Sequence, residues 1–233
     1  MKTINILLIG FSVMLLTSCK QETKPKVIYE ATKDKGKTTK RDTAQIEIAD
    51  LPIQMQGTNY MIHPVGDLSV LDGKAKYADR VSFTISNTSE FEITGYLRNL
   101  KFQKIGSDTI TALTDKPVLI QTATYLKTVS DKTKQQIMVY TMADVDTNKD
   151  GKLDTSDIKT LYISEISGKR LMKLSPDLQD LIDWNVIESK NRLYFRTIED
   201  ANKNGQFDKT DILYYHFVDL SNKDWKVLDY KPI

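Results

Sequence analysis

The side chains best suited to chemistry in this 233-residue sequence are oxygen donors set at alternate positions. From Asp146 the chain places Asp146, Asn148 and Asp150, then Gly151, Lys152, Leu153 and Asp154, and Asp157 at the twelfth position. A hard cation such as Ca²⁺ takes six to eight oxygen ligands at about 2.3–2.6 Å. A short loop can supply so many only if alternate side chains point inward while the backbone turns sharply. Gly151 permits that turn because it has no Cβ to clash. Lys152 is needed only for its carbonyl, and Leu153 is expected to point away from the ion and pin the loop to a core. The pattern recurs at Asp200, Asn202, Asn204, Gly205, Gln206, Phe207, Asp208 and Asp211. Two sites for Ca²⁺ are the chemistry these spacings predict.

The spacing resembles the EF-hand calcium loop and, through its pairing, the calcium segments of dockerins. The resemblance covers the two loops and not their surroundings, because an EF-hand has a helix on each side. Here QQIMVYTMADV enters and DIKTLYISEISG leaves, both with the composition of strands. The loops therefore read as calcium turns between neighbouring strands. By analogy, Asp146, Asn148 and Asp150 give side-chain oxygens, Lys152 its carbonyl and Asp157 the closing carboxylate, with Asp154 binding directly or through water. Asp200, Asn202, Asn204, the Gln206 carbonyl, Asp208 and Asp211 do the same at the second site. The first loop carries one more carboxylate than the second and is expected to bind more tightly. Both are expected in the range of extracellular modules, about 10⁻⁴–10⁻³ M.

The elements that must position these loops are short runs rich in Val, Ile, Thr, Tyr and Phe: NYMIHPV, RVSFTIS, PVLIQTATYL, QQIMVYTMA and RLYFRTI. Their length and β-branched content predict strands. DLQDLIDWN alone admits a short helix instead. The chain also matches itself. Without gaps, Ile105, Ile110 and Leu113 align with Ile166, Leu171 and Leu174, and these with Leu220, Trp225 and Leu228. Before the loops, Val139-Tyr140 aligns with Leu193-Tyr194. Each loop-bearing copy reads strand, strand, calcium loop, strand, turn, strand, the order of a four-stranded antiparallel meander. The first copy lacks the loop, and its second connection is expected to be the plain turn near Asn87 to Glu90. The predicted fold is all-β: about three meander repeats over residues 46–114, 115–176 and 177–233. They would form an open or partial β-propeller-like array or stacked layers, with a β-sandwich as the alternative.

Met1 to Cys19 places Lys2 before an apolar core, Ile4 to Leu16, and ends in LTSC. This reads as a secretory signal over residues 1–18. The LTSC ending resembles the lipobox of bacterial lipoproteins, which implies that Cys19 is lipidated and leads the mature chain. Residues 19–45, dense in Lys, Thr, Asp and Glu, read as a disordered tether. Lys20 after the cysteine lacks the Asp-type retention signal of enteric lipoproteins, so the resemblance implies the outer membrane. Lys20-Gln21-Glu22 further resembles surface-export signals of some Bacteroidota.

Cys19 is the only cysteine, which excludes an internal disulfide and a thiolate zinc cluster. The 33 basic and 31 acidic residues nearly balance, so nucleic-acid binding has no electrostatic support. His63 and His216 sit in no metal motif, and no nucleophile elbow, phosphate loop or dinucleotide fingerprint occurs. A non-enzymatic binding or scaffold module at the cell envelope is the expectation, with a protein or glycan partner. The glycan alternative requires aromatic side chains gathered on one face, and a hydrolase would require a carboxylate pair in a cleft away from the loops.

Overall fold

The computed structural model describes residues 25–29, 45–71, 74–76, 84–85 and 90–233. The signal segment, Cys19, most of the tether and most of RVSFTIS lie outside the described residues. In chain order the strands are β1 (Gln45–Ala49), β2 (Ile53–Gln54), β3 (Tyr60–Leu71), β4 (Lys74–Lys76), β5 (Thr84–Ile85), β6 (Glu92–Leu97), β7 (Asn99–Lys104) and β8 (Ile110–Ala112). They continue as β9 (Leu119–Tyr125), β10 (Ile137–Ala143), β11 (Thr160–Glu165), β12 (Met172–Lys173), β13 (Gln179–Ile187), β14 (Arg192–Glu199), β15 (Ile212–Asp219) and β16 (Val227–Asp229). One helix, α1 (Lys127–Thr133), stands between β9 and β10. Of DLQDLIDWN, Gln179 to Asn185 lie in strand β13 and pair with β14 around a register shift at Ile182, so its helical reading is set aside.

The strands form three antiparallel sheets, none closed. The first has the order β1-β3-β7-β8 with β2 and β4 beside β3, the second β12-β11-β10-β9-β6-β5, and the third β13-β14-β15-β16. The second sheet is the middle layer. Met138, Tyr140 and Met142 enter one core with Ile62, Leu100 and Phe102 of the first sheet. Ile137 and Val139 enter the other with Leu193, Phe195 and Val218 of the third. Every residue of β10 is therefore buried, which is why its sequence is a continuous apolar run rather than an alternating one.

One connection differs from expectation. Of the turn expected near Asn87 to Glu90 only Glu90 lies among the described residues, and in the first sheet β3 pairs with β7. The chain between them makes a longer excursion, in which β5 and β6 pair with each other and β6 adds to β9 of the middle sheet. Ile93 and Leu97 of β6 are fully buried in the first core, which favours this pairing over a local hairpin.

The backbone also corrects the gapless alignment. Ile105, Ile166 and Leu220 each donate an N–H to the residue preceding a long strand: Asn59, Gln136 and Asn191. By that bond Leu193 corresponds to Met138 rather than to Val139. The one-residue shift exchanges the two faces of β14, because side chains alternate along a strand. Leu113 and Leu174 bond to Leu100 and Leu161, whereas in the third sheet the corresponding bond is made by Tyr230 to Tyr215. The last strand is thus displaced by two residues, and Leu228 is exposed where Leu113 and Leu174 are buried.

Candidate metal centre

Strand β10 leads into the first loop and β11 leaves it; β14 and β15 do the same for the second. Both loops thus sit at hairpin connections, with no flanking helix.

The first loop is held by its own side chains. Asp146 Oδ2 accepts the Gly151 N–H at 2.9 Å, Asn148 Oδ1 that of Asp150 at 2.9 Å and Asp150 Oδ1 that of Lys152 at 2.9 Å. Asp154 Oδ1 accepts the Ser156 N–H at 2.7 Å. Asp157 closes the ring: its Oδ1 accepts Thr147 N–H at 2.8 Å and Asn148 N–H at 3.3 Å, and its Oδ2 accepts Asp154 N–H at 3.0 Å. Gly151 has φ +85°, the left-handed conformation that its position in the pattern demanded. Leu153 is buried against Leu119 and Ala143, which pins the loop to the middle sheet as expected.

The second loop repeats these bonds except for the one from Asn148 to Asp157. Asp200 accepts Gly205 N–H at 2.6 Å, Asn202 accepts Asn204 N–H at 2.9 Å and Asn204 accepts Gln206 N–H at 2.8 Å. Asp208 accepts Thr210 N–H at 2.8 Å, while Asp211 accepts Ala201 N–H at 3.1 Å and Asp208 N–H at 2.7 Å. Gly205 has φ +81°.

The donor set fits a hard cation: carboxylate and amide oxygens, each with a lone pair left after its backbone bond. Asp146 Oδ1 is buried and has no hydrogen-bond partner among the described residues, a costly state for a carboxylate oxygen that a cation would relieve. Burial also pushes the Asp157 carboxyl above the usual range, against the lowering effect of its three backbone donors; the Asp146 charge adds to the rise. Among the described residues, however, no three His, Cys, Asp or Glu side chains are gathered closely enough to hold a metal by themselves. The turn and its bond pattern are formed by the loop's own side chains.

Sequence reasoning missed the residues that join the two loops. Pro25 to Tyr29 lie within the span read as a disordered tether, yet they are seated between the loops. Lys26 N–H donates to the Gly205 carbonyl at 2.6 Å, and Ile28 N–H to the Thr147 carbonyl at 3.0 Å. Thr147 Oγ1 donates to the Lys26 carbonyl at 2.9 Å, Val27 is buried, and Lys26 Nζ pairs with Asp180 at 2.6 Å. Tyr29 reaches Asp200, the first residue of the second loop; burial and the hydrogen bond and charge of Asp200 push its hydroxyl up to about 12. The signal that could have found them is Val27-Ile28-Tyr29, the one apolar run in an otherwise charged segment.

The rest of the surface offers less chemistry. One open cleft of about 470 Å³ is lined by Lys26, Thr94, Tyr96, Gln121, Thr155 and Lys159, without a carboxylate. A second, of about 330 Å³ beside Arg170 and Trp225, includes Glu165 as its one carboxylate. Asp229, His216 and Thr197 form a chain resembling a catalytic relay, at 2.7 Å and 3.0 Å. Thr197, though, is sealed in the core and bonded to Gln179, so its hydroxyl meets no substrate. His63 bonds to Gln103 at 3.1 Å. Among the described residues no helix is long and apolar enough to cross a membrane.

No family model matches this chain, and no curated protein does. A solved structure of a protein described as a candidate TolB from Agrobacterium tumefaciens is 11% identical, covers 78% of this chain and 80% of its own, and has a TM-score of 0.22. At that score the likeness carries no argument about fold or function.

Proposed function

We propose that this chain is a calcium-stabilised lipoprotein of the outer membrane, anchored through Cys19 and acting as a non-enzymatic binding or scaffold module. The observation that carries the reading is the recurrence, in two loops of different composition, of one set of side-chain-to-backbone bonds. Polar turns with no common task would have little reason to share six of the seven bonds given for the first loop. The three sheets are read as copies of one four-strand unit, β1-β3-β7-β8, β9-β10-β11-β12 and β13-β14-β15-β16, stacked like an unclosed propeller. The shared bond from Ile105, Ile166 and Leu220 supports this. The second connection is then the variable part: an excursion in the first copy and a calcium loop in the others.

In this reading Asp146, Asn148, Asp150, the Lys152 carbonyl, Asp154 and Asp157 hold the first ion. Asp200, Asn202, Asn204, the Gln206 carbonyl, Asp208 and Asp211 hold the second. The ion cross-links the start and end of each hairpin connection and removes carboxylate repulsion there. At 5 mM Ca²⁺ and a Kd of about 10⁻⁴ M, each site contributes about 2 kcal/mol of stability. Calorimetric titration of the full chain in detergent tests this. Two binding events with Ca²⁺, one lost in Asp146→Ala, are expected; no heat up to millimolar Ca²⁺ refutes it.

One observation favours a glycan as the partner. Tyr194, Tyr215, Phe217 and Tyr230 lie together on the outer face of the third sheet, with ring centroids 5.4–6.2 Å apart and the Arg192 guanidinium over Phe217. In the middle sheet the corresponding face is covered by the next sheet. Retention of the chain on a polysaccharide affinity gel, weakened by Tyr194→Ala with Tyr230→Ala, is the expected result.

A further inference from the structure

The chain's own Pro25–Tyr29 is seated between the two loops and bonded to both. Its contacts fall on both loops at turn positions. Gly205, the sixth residue of its loop, offers its carbonyl to Lys26 and to Val27, whose N–H lies at 3.4 Å. A Cβ at Gly205 would stand 2.6 Å from the Val27 oxygen and 2.7 Å from Pro25 Cβ, so only glycine leaves room for the segment. Thr147, the second residue of its loop, meets the segment through its carbonyl and its hydroxyl. The same hydroxyl lies 3.3 Å from Asp157, the closing carboxylate, and accepts the Ile158 N–H at 3.0 Å. Tyr29 sits beside Asp200, the first residue of the second loop.

We propose that calcium in the two loops controls docking of this segment, a coupling that rests on the calcium reading above. Each loop must hold its turn for its carbonyl to face the segment. A cation that draws the loop oxygens inward stabilises that turn. Release of the ions weakens the turns that present the Gly205 and Thr147 carbonyls, and because the segment's bonds alternate between the two loops its docking equilibrium shifts toward release as a unit. Linkage makes the effect reciprocal: a docked segment tightens calcium binding at both sites. Docking also sets reach. From Cys19 to Pro25 the chain can span only about 20 Å, and from Cys19 to Gln45 about 90 Å. Calcium would therefore hold the domain close to its anchor, and its loss would let the domain extend.

The test uses the full chain in detergent, with hydrogen exchange of the peptide covering 25–29 and calcium calorimetry on the same samples. Exchange at Lys26 to Tyr29 is expected to slow by about tenfold or more with Ca²⁺ relative to EGTA, a typical coupling strength. Val27→Asp is expected to weaken calcium binding by about fivefold or more at both loops. Ile28→Pro, which removes the N–H donated to Thr147 while also replacing the side chain and fixing φ there, serves if Val27→Asp fails to fold, and should act in the same direction. Two normal calcium heats with exchange at 25–29 unchanged by EGTA, and with Ile28→Pro binding as wild type, would overturn the coupling while leaving the calcium sites standing. Absence of any calcium heat would instead remove the calcium reading, and the coupling with it.

Discussion

Asp157 is the most informative residue to perturb, because it has two separable jobs. It is almost wholly buried at 1% exposure and accepts backbone N–H bonds from Thr147, Asn148 and Asp154, at 2.8, 3.3 and 3.0 Å. Asp157→Ala leaves three donors without that acceptor, whether or not an ion is present. Bonds to a charged acceptor contribute about 1.5–3 kcal/mol each, and water entering a surface loop recovers part of that, so a net loss near 3 kcal/mol is expected. In a domain of this size that lowers Tm by roughly 6–12 °C. Asp154→Ala is the control: Asp154 is also in the calcium pattern, but its carboxylate accepts only the Ser156 N–H, at the surface. It should cost less than about 1 kcal/mol in EGTA. Urea denaturation in EGTA compares the two, and repetition in calcium isolates the ion's share, which Asp157→Ala should lose at the first loop. Equal stability of the two variants in EGTA would refute the argument that Asp157 organises the turn before any ion binds.

Two further outcomes follow from packing and charge. Gly168 has φ +76° and an added Cβ would stand 2.5 Å from the Phe102 ring, whereas Gly106 at φ +82° faces open space. Gly168→Ala should cost about 2–4 kcal/mol and Gly106→Ala about 1 kcal/mol in chemical denaturation, the difference measuring the clash. Lys173 is subject to a lowering by burial, but its bonds to Asp177 at 2.8 Å and Asp144 at 2.9 Å prevail and hold the ammonium above its ordinary value. A raised lysine contributes stability that is fully present below the unfolded value of about 10.4 and is lost as pH rises through the folded one. The stability gap between wild type and Lys173→Met should therefore narrow from pH 7 to pH 11; a gap that stays constant would show that the aliphatic stem, not the charge, is what matters.

The two loop turns were legible because their signal is local. The spacing of Asp146, Asn148, Asp150 and Gly151 determines which oxygens can face inward and where φ must be positive, and Leu153 went to the core as the pattern required. The strands were legible for a related reason: β-branched runs such as Ile137 to Met142 have few other ways to bury their side chains. What the sequence could not specify was how those strands meet. The departure of β6 to the middle sheet, the one-residue shift that turns Tyr194 outward and Leu193 inward, and the two-residue displacement that exposes Leu228 are decided by pairing between distant segments, where a single step exchanges faces. The docking of Val27 is the clearest case. Three apolar residues in a charged stretch have too little surface to fold alone, and only a cleft built by two loops more than a hundred residues further along the chain gives them something to bind.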